Sequence, residues 1–201
     1  ILSQINKPIL GINFGGVGFL NELEPDSDIL TAIDNIIHKK YFEEKLHRID
    51  TYLNDLNVGT AVNEIVLHTS RVAKIQGFEI STNGKLIDSF RGDGVIIATP
   101  TGSTSYSMSI GAPIIYPTME SNLIVPMAPY KLGSRPLILP ANYDISAKIN
   151  GHPEAVMVID GKEEIFIKGD DKIEFKASNN PATLIRFSKN FFDRLRNKLR
   201  L

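Results

Sequence analysis

The stretch VAKIQGFEISTNGKLIDSF, residues 72–90, decides the fold class of this 201-residue chain. Two β-rich runs, Val72 to Ile80 and Lys85 to Phe90, flank the dipeptide Asn83-Gly84. Asn-Gly readily adopts the positive φ angles of a two-residue hairpin turn, so the pattern predicts two adjacent antiparallel strands. We therefore expect an antiparallel sheet in this part of the chain.

Similar short β-rich runs lie on both sides of this hairpin. They are Leu46 to Leu53, Glu64 to His68, Val95 to Ala98, Leu123 to Pro126, Leu137 to Leu139, Ile145 to Ile149, Ala155 to Ile159, Glu164 to Ile167, Lys172 to Lys176 and Thr183 to Phe187. About a dozen strands at such short spacing predict a β-sandwich. We assign it to residues 45–187.

The beginning of the chain follows a different pattern. An apolar run from Ile9 to Phe14 leads into the glycine turn Gly15-Gly16-Val17-Gly18, and a helix follows that Asp26 or Ser27 can cap. Strand, glycine turn and helix form an α/β unit. Residues 1–44 are therefore interpreted as the remnant of a larger α/β domain.

Both ends of the chain suggest further features. Residue 1 is Ile1, and the segment Ile1 to Ile5 has the pattern of the last turn of an amphipathic helix, so we expect that residues upstream belong to the protein. Residues 188–201 predict a helix with Phe192 and Leu195 on its apolar face and basic residues on the other. We expect this helix to dock through its apolar stripe.

Composition excludes several classes of protein. Hydrophobic residues make up 42% and charged residues 22%, which is ordinary for a soluble globular protein. A net charge of -1 gives no electrostatic reason to expect nucleic acid or an anionic membrane as a partner. Cysteine is absent, no apolar run approaches the ~20 residues of a membrane span, and no signal peptide is visible. These observations predict a cytoplasmic protein.

The densest polar cluster is Thr-Pro-Thr-Gly-Ser-Thr-Ser-Tyr-Ser at residues 99–107, directly after the strand Val95 to Ala98. Its hydroxyls and glycine suit hydrogen bonding to a sugar or a phosphate. A solvated loop that caps a short helix through Ile110 is the slightly simpler interpretation of the same residues. Composition alone leaves both interpretations open.

Two acidic positions are further candidates for binding. Asp93 lies between Gly92 and Gly94, which leave its carboxylate accessible, although a turn aspartate bonded to its own backbone is the simpler interpretation. Asn63-Glu64 opens an apolar strand and offers an amide and a carboxylate to a purine or a ribose, but such a pair also occurs at strand ends for solubility.

Other common sites find no support in the sequence. The four histidines, His38, His47, His68 and His152, lack metal-ligand spacing, so no protein metal site is predicted. There is no Gly-x-Ser-x-Gly elbow, and the glycine turn at residues 15–18 has neither P-loop nor Rossmann spacing.

The order of the motifs resembles that of the NAD kinases. The series runs through Gly-x-Asn-x-Gly-x-x-Gly-Phe-Leu at residues 11–20, Asn63-Glu64, Asp93-Gly94, Thr-Pro-Thr-Gly-Ser-Thr-Ser-Tyr at residues 99–106, Pro126-Met127-Ala128-Pro129, Arg135-Pro136-Leu137 and Asp160-Gly161. The resemblance covers residue 9 to about residue 187, and its most specific part is the hydroxyl-rich motif with Asn-Glu upstream.

The resemblance implies both a fold and a reaction. The fold is a Rossmann-like N-terminal α/β domain joined to a C-terminal β-sandwich, with the helix of residues 188–201 returning to the first domain. The reaction is transfer of a phosphoryl group from ATP or polyphosphate to the adenosine 2′-hydroxyl of NAD, giving NADP. A divalent cation, usually Mg²⁺, would accompany the donor, and the protein would form a homo-oligomer, either a dimer or a tetramer.

The resemblance also implies roles for single residues in binding NAD. Asn63 and Glu64 would contact the adenine-side ribose and base, Asp93 the nicotinamide half, and Ala128 the wall of the nicotinamide pocket. The remaining NAD-binding candidates are Lys74, Arg91, Thr104, Ser105, Tyr106, Ser107, Ser109 and Lys162.

The chain departs from the family pattern at two points. The Gly-Gly-Asp-Gly motif, whose aspartate is thought to act as the general base, has no counterpart here, so no catalytic residue is assigned within the chain and we expect that aspartate upstream of Ile1. Lys162 follows Asp160-Gly161 where a glutamine is common.

Three alternatives remain at this stage. The first is a non-catalytic dinucleotide-binding or regulatory module. The second is a lipid kinase with the same two-domain plan, such as a diacylglycerol or sphingosine kinase, which the Asn-Glu and hydroxyl-rich motifs disfavour. The third is a structural β-sandwich that serves only as an interaction domain.

Overall fold

A computed structural model of the chain describes residues 5–15, 18–71, 73–151, 154–162, 164–189 and 191–199. Predictions that involve residues 1–4, Gly16-Val17, Val72 and His152 therefore lie partly or wholly outside the described residues, as do the ends of the predicted C-terminal helix. The chain divides into two compact units, one formed by residues 47–181 and the other by residues 5–46 together with residues 182–201.

Short strands dominate the secondary structure. The strands are β1 Phe42–Leu46, β2 Ile49–Leu53, β3 Leu56–Ala61, β4 Glu64–Thr69, β5 Gln76–Thr82, β6 Lys85–Gly92, β7 Gly94–Ala98, β8 Ser121–Met127, β9 Leu137–Pro140, β10 Ile145–Asn150, β11 Glu154–Ile159, β12 Glu164–Lys168, β13 Ile173–Ala177 and β14 Ala182–Arg186. The helices are α1 Ile29–Ile37, α2 Tyr106–Ser109 and α3 Phe191–Leu199, and a 3₁₀ helix spans Thr101–Thr104.

The unit of residues 47–181 contains two six-stranded antiparallel sheets. The strand order is β3-β2-β13-β10-β5-β6 in the first sheet and β12-β11-β4-β7-β8-β9 in the second. A single core cluster draws buried side chains from both sheets, among them Ile65 and Leu67 of β4 and Phe78 and Ile80 of β5. Burial of such side chains is the main force that holds the sheets face to face. The predicted β-sandwich is confirmed.

Strand β7 is buried on both faces. Its residues Val95 and Ile97 point into the main core, whereas Ile96 and Ala98 join a second cluster that includes Ala112. The segment that follows α2 therefore covers the outer face of the second sheet. This arrangement places the end of β7 beneath the hydroxyl-rich segment.

The predicted hairpin is present, and three strand predictions need correction. The run Ile9 to Phe14 does not form a strand, since only Ile9 and Ile12 make isolated bridges. Asn83 and Gly84 have φ angles of 48° and 76°, as a two-residue hairpin turn requires. The single strand predicted over Leu46 to Leu53 is two strands, β1 and β2, because the chain passes from one unit to the other after Leu46. Strand β3 was not predicted, since its run is short and interrupted by Asn57 and Gly59.

The second unit is built around a two-stranded antiparallel pair of β1 and β14. Ile9 forms an isolated parallel bridge to Leu184 in β14. Helix α1 is capped by Asp28, whose Oδ1 accepts hydrogen bonds from the N–H groups of Leu30 at 3.0 Å and Thr31 at 3.1 Å. The predicted cap at Asp26 or Ser27 was wrong because the helix begins later than its apolar pattern suggested.

A buried ion cluster joins the segments of the second unit. Arg186 donates to Glu44 at 2.7 Å and to Glu22 at 3.3 Å, and Arg194 of α3 also pairs with Glu22. Phe192 of the same helix is 70% exposed. A residue of the basic face thus anchors α3, so the expected docking through the apolar stripe is wrong for Phe192. Desolvation makes the buried ion pair sensitive to loss of either partner.

Among the described residues, none of the helices combines the length and the apolar character that a membrane crossing needs.

Candidate functional site

The chain crosses from one sheet of the sandwich to the other at Val62 and Asn63, between β3 and β4. Asp160, which follows β11, satisfies the backbone of this crossing. Its carboxylate accepts hydrogen bonds from the N–H groups of Val62 at 2.9 Å, Asn63 at 2.8 Å and Glu64 at 3.2 Å. A buried backbone needs such partners wherever a strand ladder does not supply them. Asp160 therefore fixes the segment that carries Asn63 and Glu64.

Thr99 holds the same crossing from the end of β7. Its hydroxyl donates to the Val62 carbonyl at 2.5 Å, and its N–H donates to the Asn63 carbonyl at 2.9 Å. Gly102 lies so close that a Cβ added there would be 2.1 Å from the Asn63 oxygen. Only glycine permits this approach, so the hydroxyl-rich segment packs directly on the Asn-Glu pair.

Glu64 brings a carboxylate into this contact. The side chain is only 7% exposed, and its Oε1 accepts a hydrogen bond from the Ser105 hydroxyl at 3.1 Å. Burial raises the pKa of Glu64 to about 7, and the nearby charge of Asp160 adds to the rise, against the hydrogen bonds of Ser105 and Tyr106. Within the described part of the chain, Oε2 is buried and has no hydrogen-bond partner. A ligand donor directed at this oxygen would satisfy it.

The hydroxyls of the segment divide into internal and outward groups. Ser103 is fully buried; its hydroxyl donates to the Pro100 carbonyl at 2.6 Å and accepts from the Ile115 N–H at 2.9 Å. Ser107 is also fully buried. Thr104 and Ser105 are half-buried, whereas Tyr106 and Ser109 are exposed. Hydroxyl content alone could not separate these two groups, because burial depends on the path of the chain after Ile110.

The predicted binding residues form two clusters at opposite ends of β7. The pairing of β4 with β7 sets Glu64 opposite Ala98 and His68 opposite Gly94, so the ends lie roughly 13 Å apart at the usual strand rise. The Ala98-end cluster comprises Asn63, Glu64, Thr104, Ser105, Tyr106, Ser107, Ser109 and Lys162, and the Gly94-end cluster comprises Lys74, Arg91, Asp93 and Ala128. The structure does not gather all twelve candidates at one point.

At the Gly94 end, the backbone is tightly held and the side chains are free to solvent. The Asp93 N–H donates to the Met127 carbonyl at 3.0 Å, and its carbonyl accepts from the Thr69 N–H at 2.9 Å. The side chains of Asp93, Arg91 and Ala128 are exposed. Ala128 has a φ angle of 43°, an unusual value for a residue with a Cβ. Accessible charges here can meet a ligand without prior rearrangement.

A groove lies beside the Gly94-end cluster. It has a cavity volume of about 660 Å³ and is lined by Ile75, Gly77, Phe78, Ser89, Phe90, Arg91, Tyr130, Lys131, Asn150 and Gly151. The volume falls within the ~300–1,000 Å³ of small-molecule pockets. Arg91 is the one residue shared by this groove and the predicted binding set.

The outer members of the two clusters lie on loops. Lys162 is exposed and follows the Asp160-Gly161 turn, at the Ala98 end, and its N–H donates to the Ile159 carbonyl at 3.1 Å. Lys74 is exposed in the loop between β4 and β5, and the Lys74 N–H donates to the Arg71 carbonyl at 3.4 Å. Both lysine side chains can therefore contact a ligand only from the exposed periphery of their clusters.

Sequence reasoning gave no individual role to Asp160 or to Thr99, although Thr99 opens the hydroxyl-rich segment. Asp160-Gly161 was noted only as part of the motif series. Asp160 has a φ angle of 49°, a conformation in which Asp is better tolerated than most residues, so Asp-Gly after an apolar strand was a usable signal for a turn. Its contact with residues 62–64 depends on the pairing of β4 with β11, which the sequence did not specify.

Comparison with known proteins adds a family match to this geometry. The model of the ATP-NAD kinase C-terminal domain matches residues 62–187. The NAD kinase of Methanosarcina acetivorans is 41% identical over 194 residues, which cover 96% of this chain and 70% of that protein. The NAD kinase of Methanothermobacter thermautotrophicus is 42% identical over 193 residues, covering 96% of this chain and 68% of that protein.

Solved structures give the same result. An NAD kinase from Archaeoglobus fulgidus in complex with ATP superposes with a TM-score of 0.85 at 28% identity, covering 99% of this chain and 77% of that one. Yeast NADH kinase complexed with NADH superposes with a TM-score of 0.83 at 25% identity, covering 96% of this chain and 59% of that one. These relatives favour a dinucleotide kinase over the lipid kinase and structural-domain alternatives.

Proposed function

Because the chain belongs to the NAD kinase family, we propose that it binds NAD for phosphoryl transfer from ATP to the adenosine 2′-hydroxyl, which gives NADP. The observation that carries this proposal is the convergence of Asn63-Glu64 with the hydroxyl-rich segment, where Ser105 bonds to Glu64 at 3.1 Å. The relatives are named NAD kinases, and the structural neighbours were solved with ATP and with NADH.

The two clusters suggest how a dinucleotide would lie on the sandwich. We assign its adenosine half to the Ala98-end cluster, where Asn63, Glu64 and Ser105 offer an amide, a carboxylate and a hydroxyl to the ribose and base. Asp93 and Ala128 at the Gly94 end would meet the nicotinamide half. The separation of roughly 13 Å suits an extended ligand with two nucleoside parts better than a compact one.

Phosphoryl transfer makes modest chemical demands on these residues. The reaction depends on in-line placement of donor and acceptor and on stabilisation of charge, with little covalent chemistry by the protein. The Ala98-end cluster would contribute by fixing the ribose, and hence its 2′-hydroxyl, in one orientation. Glu64, with one buried oxygen lacking a partner among the described residues, is the group best placed to receive a ligand hydroxyl or amino donor.

Further parts of the proposal concern the donor, the metal and the assembly. ATP is the proposed phosphoryl donor, with polyphosphate as the alternative, and Mg²⁺ would accompany the donor phosphates. No group of three or more His, Asp or Glu side chains suited to a metal ion occurs among the described residues. The described residues thus do not fit a protein-held metal, and Mg²⁺ would reach the site with the donor phosphates. A cytoplasmic homo-oligomer, dimer or tetramer, completes the proposal.

The domain plan is proposed on the same basis. Residues 1–44 would be the remnant of a Rossmann-like α/β domain, residues 45–187 the NAD-binding sandwich, and residues 188–201 a helix that returns to the first domain. The ion pair between Arg194 of α3 and Glu22 supports the last part of this plan.

Substitution of Asn63 by Ala tests the function directly. Within the described part of the chain, the Asn63 side-chain amide makes no hydrogen bond to protein, so its loss leaves the fold intact. We expect NAD binding, measured by isothermal titration calorimetry, to weaken by roughly 1–3 kcal/mol, the cost of a lost buried hydrogen bond. Asn197→Ala, an exposed asparagine on α3, is the matched control. Unchanged NAD affinity of Asn63→Ala with normal thermal melting would contradict the assignment.

A further inference from the structure

The crossing at residues 62–64 is stabilised in an unusual way. Between β3 in one sheet and β4 in the other, three successive N–H groups, those of Val62, Asn63 and Glu64, donate to a single carboxylate, Asp160. Hydrogen bonds to a charged acceptor are stronger than those between neutral groups. One side chain therefore supplies the hydrogen-bond acceptors that a neighbouring strand supplies elsewhere in the sheets.

Asp160 also meets this segment through its own backbone. Its N–H donates to the Glu64 carbonyl at 2.9 Å, directly after the register pair of Ile159 with Ile65. The φ angle of 49° turns the chain so that the carboxylate points back along residues 62–64. The contact is thus reciprocal, and it holds the Asn-Glu pair in position relative to the end of β11.

The two polar side chains carried by this segment differ in what else holds them. The Asn63 amide makes no hydrogen bond within the described residues, and Glu64 has one carboxylate oxygen with a partner, Ser105, and one without. The direction of the Asn63 side chain is therefore set mainly by its backbone, and Glu64 extends from the same short segment towards Ser105. A shift of that backbone would move both groups together.

We propose that Asp160 is a positioning residue for ligand binding, whose carboxylate fixes the backbone of residues 62–64 so that Asn63 and Glu64 present their polar groups to the dinucleotide. The inference rests on the proposed function for the identity of the ligand. Asp160 acts through the Asn-Glu pair and needs no contact of its own with the ligand.

The substitution Asp160→Asn tests this role. The amide is nearly the same size, but its NH₂ group would face a backbone N–H where an oxygen now accepts a hydrogen bond. We expect the dissociation constant for NAD to rise about tenfold, since small displacements of positioning groups have large effects. Asp171→Asn is the matched control because Asp171 also accepts from a backbone N–H, that of Lys168 at 2.7 Å, at the other end of the β11–β12 hairpin.

A double-mutant cycle separates positioning from a general loss of structure. If Asp160 acts through Asn63, the two substitutions should not add. The NAD dissociation constant of Asp160→Asn/Asn63→Ala should then be at most about twofold higher than that of the single variant that binds NAD more weakly. Full additivity of the two losses would overturn the proposal, as would an Asp160→Asn variant that binds like the parent protein. An Asp171→Asn variant with the same loss as Asp160→Asn would also overturn it.

A measurement without ligand keeps this test separate from the proposed function. Amide hydrogen exchange at Asn63 and Glu64 should be at least tenfold faster in Asp160→Asn than in the parent, while exchange in β5 and β10 is unchanged. If the parent protein fails to bind NAD, the proposed function fails, and the exchange rates still decide the role of Asp160. Equal exchange rates in the two proteins would overturn it.

A second variant covers the case in which Asp160→Asn does not fold. Thr99→Val keeps the side-chain shape and removes the hydroxyl, which donates to the Val62 carbonyl and accepts from the Gly102 N–H at 3.2 Å. With a cooperative melting transition retained, a rise of about tenfold in the NAD dissociation constant would support control of the Asn-Glu pair by its backbone. Unchanged affinity would overturn it.

Discussion

The two ends of β7 carry the proposed binding residues in different ways. At the Ala98 end, Glu64 is buried and bonded to Ser105, and the backbone beside it is held by Asp160 and Thr99. At the Gly94 end, the side chain of Asp93 is exposed and only its backbone is fixed. Substitutions at the Ala98 end should therefore affect both ligand binding and the stability of the sandwich. Substitutions of the exposed side chains at the Gly94 end should affect ligand binding and leave the stability of the fold unchanged.

The largest expected effect concerns the close backbone packing that the two ends of β7 have in common. A Cβ added at Gly102 would lie 2.1 Å from the backbone carbonyl oxygen of Asn63. A Cβ added at Gly94 would lie 2.4 Å from the backbone carbonyl oxygen of Leu67. We expect Gly102→Ala and Gly94→Ala each to lower the free energy of unfolding by about 3 kcal/mol, because backbone atoms must move. For a chain of this size the melting temperature should fall by roughly 6–12 °C.

Gly133→Ala is the control for these two variants, since a Cβ at Gly133 would meet nothing within 4 Å. Its melting temperature should match that of the parent. A large loss at only one of Gly102 and Gly94 would show that the two ends differ in their backbone packing as well as in their side chains.

The second effect belongs to the Ala98 end alone. The pKa of Glu64 is raised from 4.5 to about 7 in the folded protein, so between these values the folded state holds a proton that the unfolded state has released. The stabilising contribution of the protonated group is therefore full below pH 4.5 and is lost as the pH rises through 7. The slope in this window is about 1.4 kcal/mol per pH unit.

Glu64→Gln should flatten this dependence because glutamine stays neutral. We expect the loss of unfolding free energy between pH 5 and pH 8, measured by urea titration, to be smaller in the variant by roughly 3 kcal/mol. At pH 8 the variant should be more stable than the parent. Parallel stability curves for the two proteins would show that Glu64 does not titrate in this window.

The smallest effect is expected at the Gly94 end. Asp93→Asn changes an exposed side chain, so the free energy of unfolding should change by less than about 0.5 kcal/mol. NAD affinity should fall by about 1 kcal/mol if the carboxylate meets the nicotinamide half. Asp170→Asn, another exposed aspartate, is the control. A stability loss at Asp93 as large as that at Gly102 would remove the contrast between the two ends.

Local signals in the sequence were enough to predict most of the sandwich. Asn83-Gly84 has one favoured turn, and the alternating burial of β5 follows from its pattern of apolar and polar residues. The helix cap at Asp28 and the break after Leu46 were missed, because neighbouring residues can cap equally well and the passage of the chain between units leaves no local pattern. Tertiary context decided both points.

The candidate site was predictable to a similar degree. The motif order indicated Asn63-Glu64 and the hydroxyl-rich segment, and the structure brings these together. The sequence could not show that Ser107 is buried while Ser109 is exposed, because both are serines on one short helix. The role of Asp160 could not be predicted either, since it is separated by 97 residues from Asn63 and reaches it only through the pairing of β11 with β4.

The insertion of the sandwich between β1 and β14 has a consequence for the order of folding. Glu44 and Arg186, which pair across these strands, are 142 residues apart, and closing such a loop in a disordered chain costs roughly 4 kcal/mol in entropy. Arg48 donates to the carbonyls of Asn180 and Pro181, so the completed sandwich already holds its own two ends together. On a ribosome, residues 47–181 can therefore mature first, and the outer pair then assembles across a short gap once β14 has emerged.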